Sequence, residues 1–189
     1  MIIILALDLS LTRTGYATPE GGCGVLVPPR NCSDGVRRLQ WFRDRTRDLA
    51  RITRAQLVVI EGYAFGQARG TSQLHSAGEL GGVVRLALFD AGIPFVDVPP
   101  ASLKKFATGK GNAPKELILV ETVKRLAYQG SDHNECDALW LRLMALRRYD
   151  PLECIGMPAK NLEALAGVKW PELPHIPQSV NTHTHAHTA

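Results

Sequence analysis

Three stretches of the sequence predict an α/β chain built on one mixed, five-stranded sheet with helices on its flanks. Ile2–Leu7 is a continuous apolar run rich in β-branched residues, the pattern of a central strand buried on both faces. Gly15–Thr18 and Gly24–Val27 are short and separated by Pro19-Glu20-Gly21-Gly22, which reads as a hairpin-like pair. From residue 57 onward, apolar runs ended by turn residues alternate with longer helical patterns.

The remaining elements follow in order. Asp34 stands where it can cap a helix running to about Thr53, with Leu39, Phe42, Leu49 and Ile52 on one face. Leu57–Glu61 is the next strand, and Gly62–Gly70 a glycine-containing loop. A helix is expected from about Ser72 to Ala91, ended by Gly92, then a strand at Phe95–Val98 closed by Pro99-Pro100. Ser102–Ala107 reads as a short helical turn and Thr108–Ala113 as a Gly-rich loop. Helices are expected near Pro114–Tyr128 and Asp132–Tyr149. Residues 1–150 are therefore expected to form the main domain, with 151–189 as a C-terminal extension. The extension is richer in proline, helical only at Ala159–Ala166, and ends in a low-complexity tail holding His183, His185 and His187. A tail without function outweighs a metal-binding one.

A length of 189 residues suits one domain with a full core. The net charge of +4 and pI near 9.0 allow a polyanionic partner without demanding one. Cys23, Cys32, Cys136 and Cys154 form no CxxC pair and no zinc-type spacing with His, so they read as small apolar residues in a reducing compartment. No run is long enough to span a bilayer. The first apolar run lacks a basic leader and soon meets Asp8, so it reads as a strand, and a cytoplasmic location (a host's, if phage-encoded) is expected.

Three acids sit at the edge of apolar sequence that should bury them. Asp8 ends Ile2–Leu7, Glu61 ends Leu57-Val58-Val59-Ile60, and Asp137 lies in Asn134-Glu135-Cys136-Asp137-Ala138-Leu139-Trp140. Buried carboxylates cost free energy unless compensated, and a divalent cation is the usual compensator when three converge. Taken alone, Asp8 reads equally as a turn-forming residue. Its Ser/Thr-rich neighbours, Ser10 and Thr14 among them, offer hydroxyls for a phosphate. Glu is disfavoured in strands, so Glu61 is the stronger oddity. Tyr63 and Phe65 after it suit base stacking or wedging. Asp132 fits an N-cap with Glu135 as the partner of a capping box. Asn134 and Asp137, three apart, share a helix face, and His133 is a rival ligand on nearly the same face. Lys104, Lys105, Lys110 and Lys115 surround a Gly-rich loop near a helix start, an arrangement able to hold phosphates. The arginines of the first helix interleave with Asp44 and Asp48 and read as a salt-bridged solvent face.

In order and spacing these segments resemble the RuvC family of Holliday-junction resolvases, within the ribonuclease H-like superfamily, the phage and actinobacterial branch above all. The matching residues are Ala6-Leu7-Asp8-Leu9-Ser10 with Thr14-Gly15-Tyr16-Ala17, then Val58-Val59-Ile60-Glu61, Pro99–Lys115 and Asn134-Glu135-Cys136-Asp137-Ala138-Leu139, within roughly residues 1–150. The resemblance implies a ribonuclease H-like fold and hydrolysis of DNA phosphodiesters at four-way junctions. It implies that Asp8, Glu61 and Asp137 bind two Mg²⁺ ions, which Mn²⁺ can replace, with no nucleotide cofactor. Asn134 falls where family members often carry Asp or His, and an Asn can offer only a neutral carbonyl oxygen. Lys104 and Lys115 fall on DNA-contacting lysines. Family members are homodimers, and the Gly78–Ala91 helix matches the region that pairs subunits. The rival readings are a broader branched-DNA or flap endonuclease, a ribonuclease H-type enzyme, an actin-like ATPase domain (for which the chain is too short) and a non-catalytic DNA-binding protein.

Overall fold

The computed structural model describes residues 2–32, 34–63, 71–150 and 156–173, without the side chains of residues 71–74 and 76. Five strands form one sheet in the order β3-β2-β1-β4-β5. They are β1 (Ile4–Asp8), β2 (Thr14–Ala17), β3 (Cys23–Leu26), β4 (Leu57–Glu61) and β5 (Phe95–Val98). The first three are antiparallel neighbours, whereas β4 runs parallel to β1 and β5 parallel to β4. The sheet is mixed and five-stranded, as the sequence predicts.

Alternation along β1 and β4 divides the core. Ile4, Ala6, Leu57 and Val59 face one apolar cluster; Leu5, Leu7, Val58 and Ile60 face the other. The second cluster is covered by α1 (Gly35–Ile52) and α2 (Thr71–Asp90). The first is covered by α3 (Pro100–Thr108), α4 (Lys115–Leu126) and α5 (His133–Tyr149). Trp140 of α5 is fully buried; its indole N–H donates to Thr122 Oγ1 of α4 at 2.8 Å, and its ring meets Phe106 of α3 edge-on. One aromatic residue thus ties three helices together on the face where the acids lie.

Some boundaries and faces differ from the expectation. Pro100 sits in the first turn of α3, where its missing N–H is harmless, and extends the expected turn to nine residues. Asp34 stands at the N-cap of α1 without a side-chain capping bond. Phe42, Thr46 and Ala50 form the buried stripe of α1, so Ile52 falls outside its arc and is 79% exposed. Residues 156–173 fold against the same core: α6 (Ala159–Leu162) runs into a 3₁₀ turn, Glu163–Gly167, and Ala164 and Val168 join the α5-side cluster. Cys136 is buried, and Cys23 and Cys32 are half-buried free thiols. Cys154, Phe65 and the histidine tail lie outside the described residues. Among the described residues no helix is long and apolar enough to cross a membrane.

Candidate active site at the strand ends

Parallel pairing brings the first two acids together. Leu7 of β1 pairs with Ile60 of β4, so the next residue on each strand, Asp8 and Glu61, emerges at the same carboxyl end. The period of two sends both side chains to the α5 side, as it does Ala6 and Val59. Asp137 arrives from the first turns of α5. Among the described residues, one ligand oxygen from each of Asp8, Glu61 and Asp137 lies within 4.8 Å of the others. His133 does not join this cluster.

The position of α5 is set by contacts at its N-terminus. Asp132 caps the helix, its carboxylate accepting from the Asn134 and Glu135 N–H groups, and it pairs with the Arg13 guanidinium. The Asn134 side-chain N–H donates to the Arg13 carbonyl at 2.7 Å, leaving the amide oxygen as the atom on offer to a cation. Gly15, paired with Asp8 across β1 and β2, lies so close under α5 that a Cβ there would collide with the Asn134 carbonyl. That glycine lets the helix settle onto the sheet edge.

The expected capping box is closed differently. Glu135 does not reach back to the Asp132 N–H. That N–H donates to the Tyr128 hydroxyl at 3.2 Å, and the hydroxyl donates to Glu135 Oε2 at 2.6 Å. The Cys23 thiol donates to the same carboxylate oxygen. Burial and Glu135 push the Cys23 thiol up to about 11 and the Tyr128 phenol higher still, so both remain protonated donors.

Burial and mutual charge set the electrostatics of the cluster. Asp8 and Asp137 are each 7% exposed. Burial, then the charge and hydrogen bond of Glu61, hold the Asp8 carboxyl well above its ordinary value, with Lys115 opposing. Burial, then the charge of Asp8, push Asp137 up to about 7, with Lys115 and Lys104 opposing. Three converging hard oxygen donors, of which Asp8 and Asp137 resist ionising, suit a divalent cation, which would offset their mutual repulsion.

The expected DNA contacts separate. Lys104 and Lys115 are near enough for their charge to be felt at Asp137. Lys110 is exposed beside Gly109. Lys105 is committed to Glu163, its ammonium 2.8 Å from the carboxylate. Ser10 remains partly open, its hydroxyl within 3.2 Å of Thr12 Oγ1. Thr14 is a correction: it is fully buried, its hydroxyl donates to the Ser10 carbonyl at 2.9 Å, and it accepts from the Ser10 N–H. It closes the β1–β2 turn and has no hydroxyl free for a phosphate. Tyr63 is also docked: its hydroxyl donates to the Gly78 carbonyl and accepts from Arg85, whose guanidinium lies 4.8 Å from the ring centroid. Sequence reasoning gave no role to Arg13 or Tyr128, and placed Gly15 in a strand without its packing role. A glycine inside a strand pattern is a signal of close backbone approach; the other two carry no local signal.

No protein-family model matches the chain. It is 30% identical over 152 residues to the crossover junction endodeoxyribonuclease RuvC of Synechococcus sp. strain CC9605, covering 75% of this chain and 96% of that one. It is 29% identical over 134 residues to the protein of the same name from Synechococcus sp. strain WH7803, with 67% and 84% covered. Among solved structures it resembles Thermus thermophilus RuvC in complex with a Holliday junction substrate, with a TM-score of 0.62, 19% identity, and 75% of this chain and 91% of that chain covered. Another structure of Thermus thermophilus RuvC gives a TM-score of 0.60, 18% identity, and coverage of 80% and 98%. The fold is therefore ribonuclease H-like, and the chain belongs to the RuvC family of crossover junction endodeoxyribonucleases.

Proposed function

We propose that this chain is a structure-selective endonuclease that resolves four-way DNA junctions as a symmetric homodimer, using Mg²⁺ held by Asp8, Glu61 and Asp137. The observation that carries the proposal is the convergence of those three carboxylates within 4.8 Å at one sheet edge. Asp8 is the most central of the three, hydrogen-bonded to Glu61 and close enough for its charge to act on Asp137, so it would serve the whole metal centre. Asn134, with its amide nitrogen already engaged, would add a neutral oxygen. Bound there, the ions would polarise the scissile phosphate and supply an activated water. Lys104 and Lys115 would hold the flanking phosphates, with Ser10 and Lys110 at the rim of the site.

Dimerisation is supported by α2. Leu86 and Phe89 are 58% and 74% exposed, and with Gly82 they follow the i, i+4, i+7 spacing of one helix face. Large exposed apolar residues grouped in this way suit a second copy of the chain. A two-fold pair would present two acid clusters to two strands of a symmetric junction. Residues 1–150 would carry the chemistry and the later residues support it.

The test compares cleavage of a mobile four-way junction, a flap, a linear duplex and an RNA–DNA hybrid in Mg²⁺. The junction should be cut preferentially. Asp8→Asn should still bind it while cutting falls by about a thousandfold or more. Cutting by Asp8→Asn at the wild-type rate would sink the metal-centred reading. Preference for the hybrid would move the activity to a ribonuclease H-type reaction.

A further inference from the structure

Residues 156–168 grip one side of α3, the helix that carries Lys104. Asn161 is 5% exposed, and its side-chain N–H donates to the Phe106 carbonyl at 2.7 Å. That carbonyl is among the last four of α3, which the helix itself leaves without partners. Gly109 ends α3 in a left-handed conformation (φ 78°), and a Cβ there would lie 3.3 Å from Asn161 Oδ1. One turn back Lys105 pairs with Glu163, and near the helix start a Cβ on Gly167 would meet Ser102 Oγ at 2.9 Å. Ser102, Lys105, Phe106 and Gly109 follow the spacing of one helix face. Lys104, half-buried, falls on the opposite side of α3 from that face.

Burial alone does not account for Asn161. An apolar residue would fill the space, whereas a buried amide destabilises unless it is hydrogen-bonded, and the bond made here to the Phe106 carbonyl fixes direction. It holds the last turn of α3, which leads into Gly109-Lys110-Gly111. We infer that residues 156–168 form a brace that sets the seat of α3, with Asn161 as its positioning residue, so that Lys104 and the Lys110 turn are presented to DNA phosphates beside the acid cluster. The inference rests on the nuclease reading above.

Asn161→Ala in the full chain tests it, with junction affinity in metal-free buffer, kcat at saturating DNA, and the Mg²⁺ midpoint read together. The dissociation constant for the junction should rise about tenfold, while kcat and the Mg²⁺ midpoint stay unchanged. An unchanged dissociation constant, with or without a lower kcat from lost active protein, overturns the brace. A second measurement needs no variant. In the wild type, junction binding should slow amide exchange across residues 159–167 as well as 104–111; unaltered exchange across 159–167 overturns the inference too. Wild-type protein that neither binds nor cuts junctions would instead defeat the nuclease reading itself.

Discussion

The strand-borne and helix-borne halves of the acid cluster are held by different physics. Asp8 and Glu61 stand one residue beyond the Leu7–Ile60 pair, and the ladder that forms the sheet also fixes their separation. Their backbone positions follow from strand pairing alone. Asp137 rides on a helix whose seat depends on the Asp132 cap, the Arg13 contacts, the Tyr128 relay and the bare backbone of Gly15. One half is rigid by construction. The other is adjusted by side chains far apart in sequence, and that is where substitution should tune the site without destroying the sheet.

The largest effect short of removing an acid is expected from Gly15→Ala. The added Cβ would strike Asn134 backbone, which cannot rotate away. Destabilisation of about 3 kcal/mol is expected. Cleavage should fall about a hundredfold as Asp137 is lifted from its partners. Calorimetry and junction cleavage would check the two effects, and a wild-type rate would show that the helix has other seats.

Asp137→Asn sharpens the comparison through pH. In metal-free protein the Asp137 carboxyl, pushed up to about 7 from its ordinary 3.8, keeps a proton that the unfolded chain releases. Its contribution to stability is fully present below the unfolded value and is lost as pH rises through about 7. Metal-free wild type should therefore melt a few degrees higher at pH 5.5 than at pH 8. Asp137→Asn should narrow that gap and, without metal, be the more stable protein at pH 8. A gap of unchanged size in the variant would place the titration elsewhere, Asp8 first.

The smallest effect is expected from Tyr128→Phe. It removes the hydroxyl between the Asp132 N–H and Glu135 and leaves the ring in the core. A loss of about 1 kcal/mol is expected, with a higher Mg²⁺ midpoint and little change in kcat at saturating metal. A lower melting temperature with an unmoved Mg²⁺ midpoint would show that the relay serves the fold alone.

The same division governs what could be read from the sequence. Apolar runs ending in an acid mark Asp8 and Glu61 locally, since the strand and its terminus are contiguous. Asp132 and Asp137 are legible because capping and helix spacing are local rules as well. Tyr128 carries no local mark: it follows the left-handed Ala127 that ends α4, and its hydroxyl reaches forward over residues 129–131 to the Asp132 N–H. Thr14 misled because a hydroxyl beside an acid suits a phosphate and a turn equally well, and burial decides between them. Ile52 misled because the stripe of α1 passes through Thr46 and Ala50, residues too small or polar to mark it.

The seat of α5 on Gly15 has a consequence for synthesis. During translation Asp8 and Glu61 emerge early, and β1 can pair with β4 long before α5 exists. Until residues 132–137 have left the ribosome the cluster lacks its third carboxylate and the helix cap that places it. The growing chain thus carries only the strand-borne pair of the three acids until the segment that places the third has arrived.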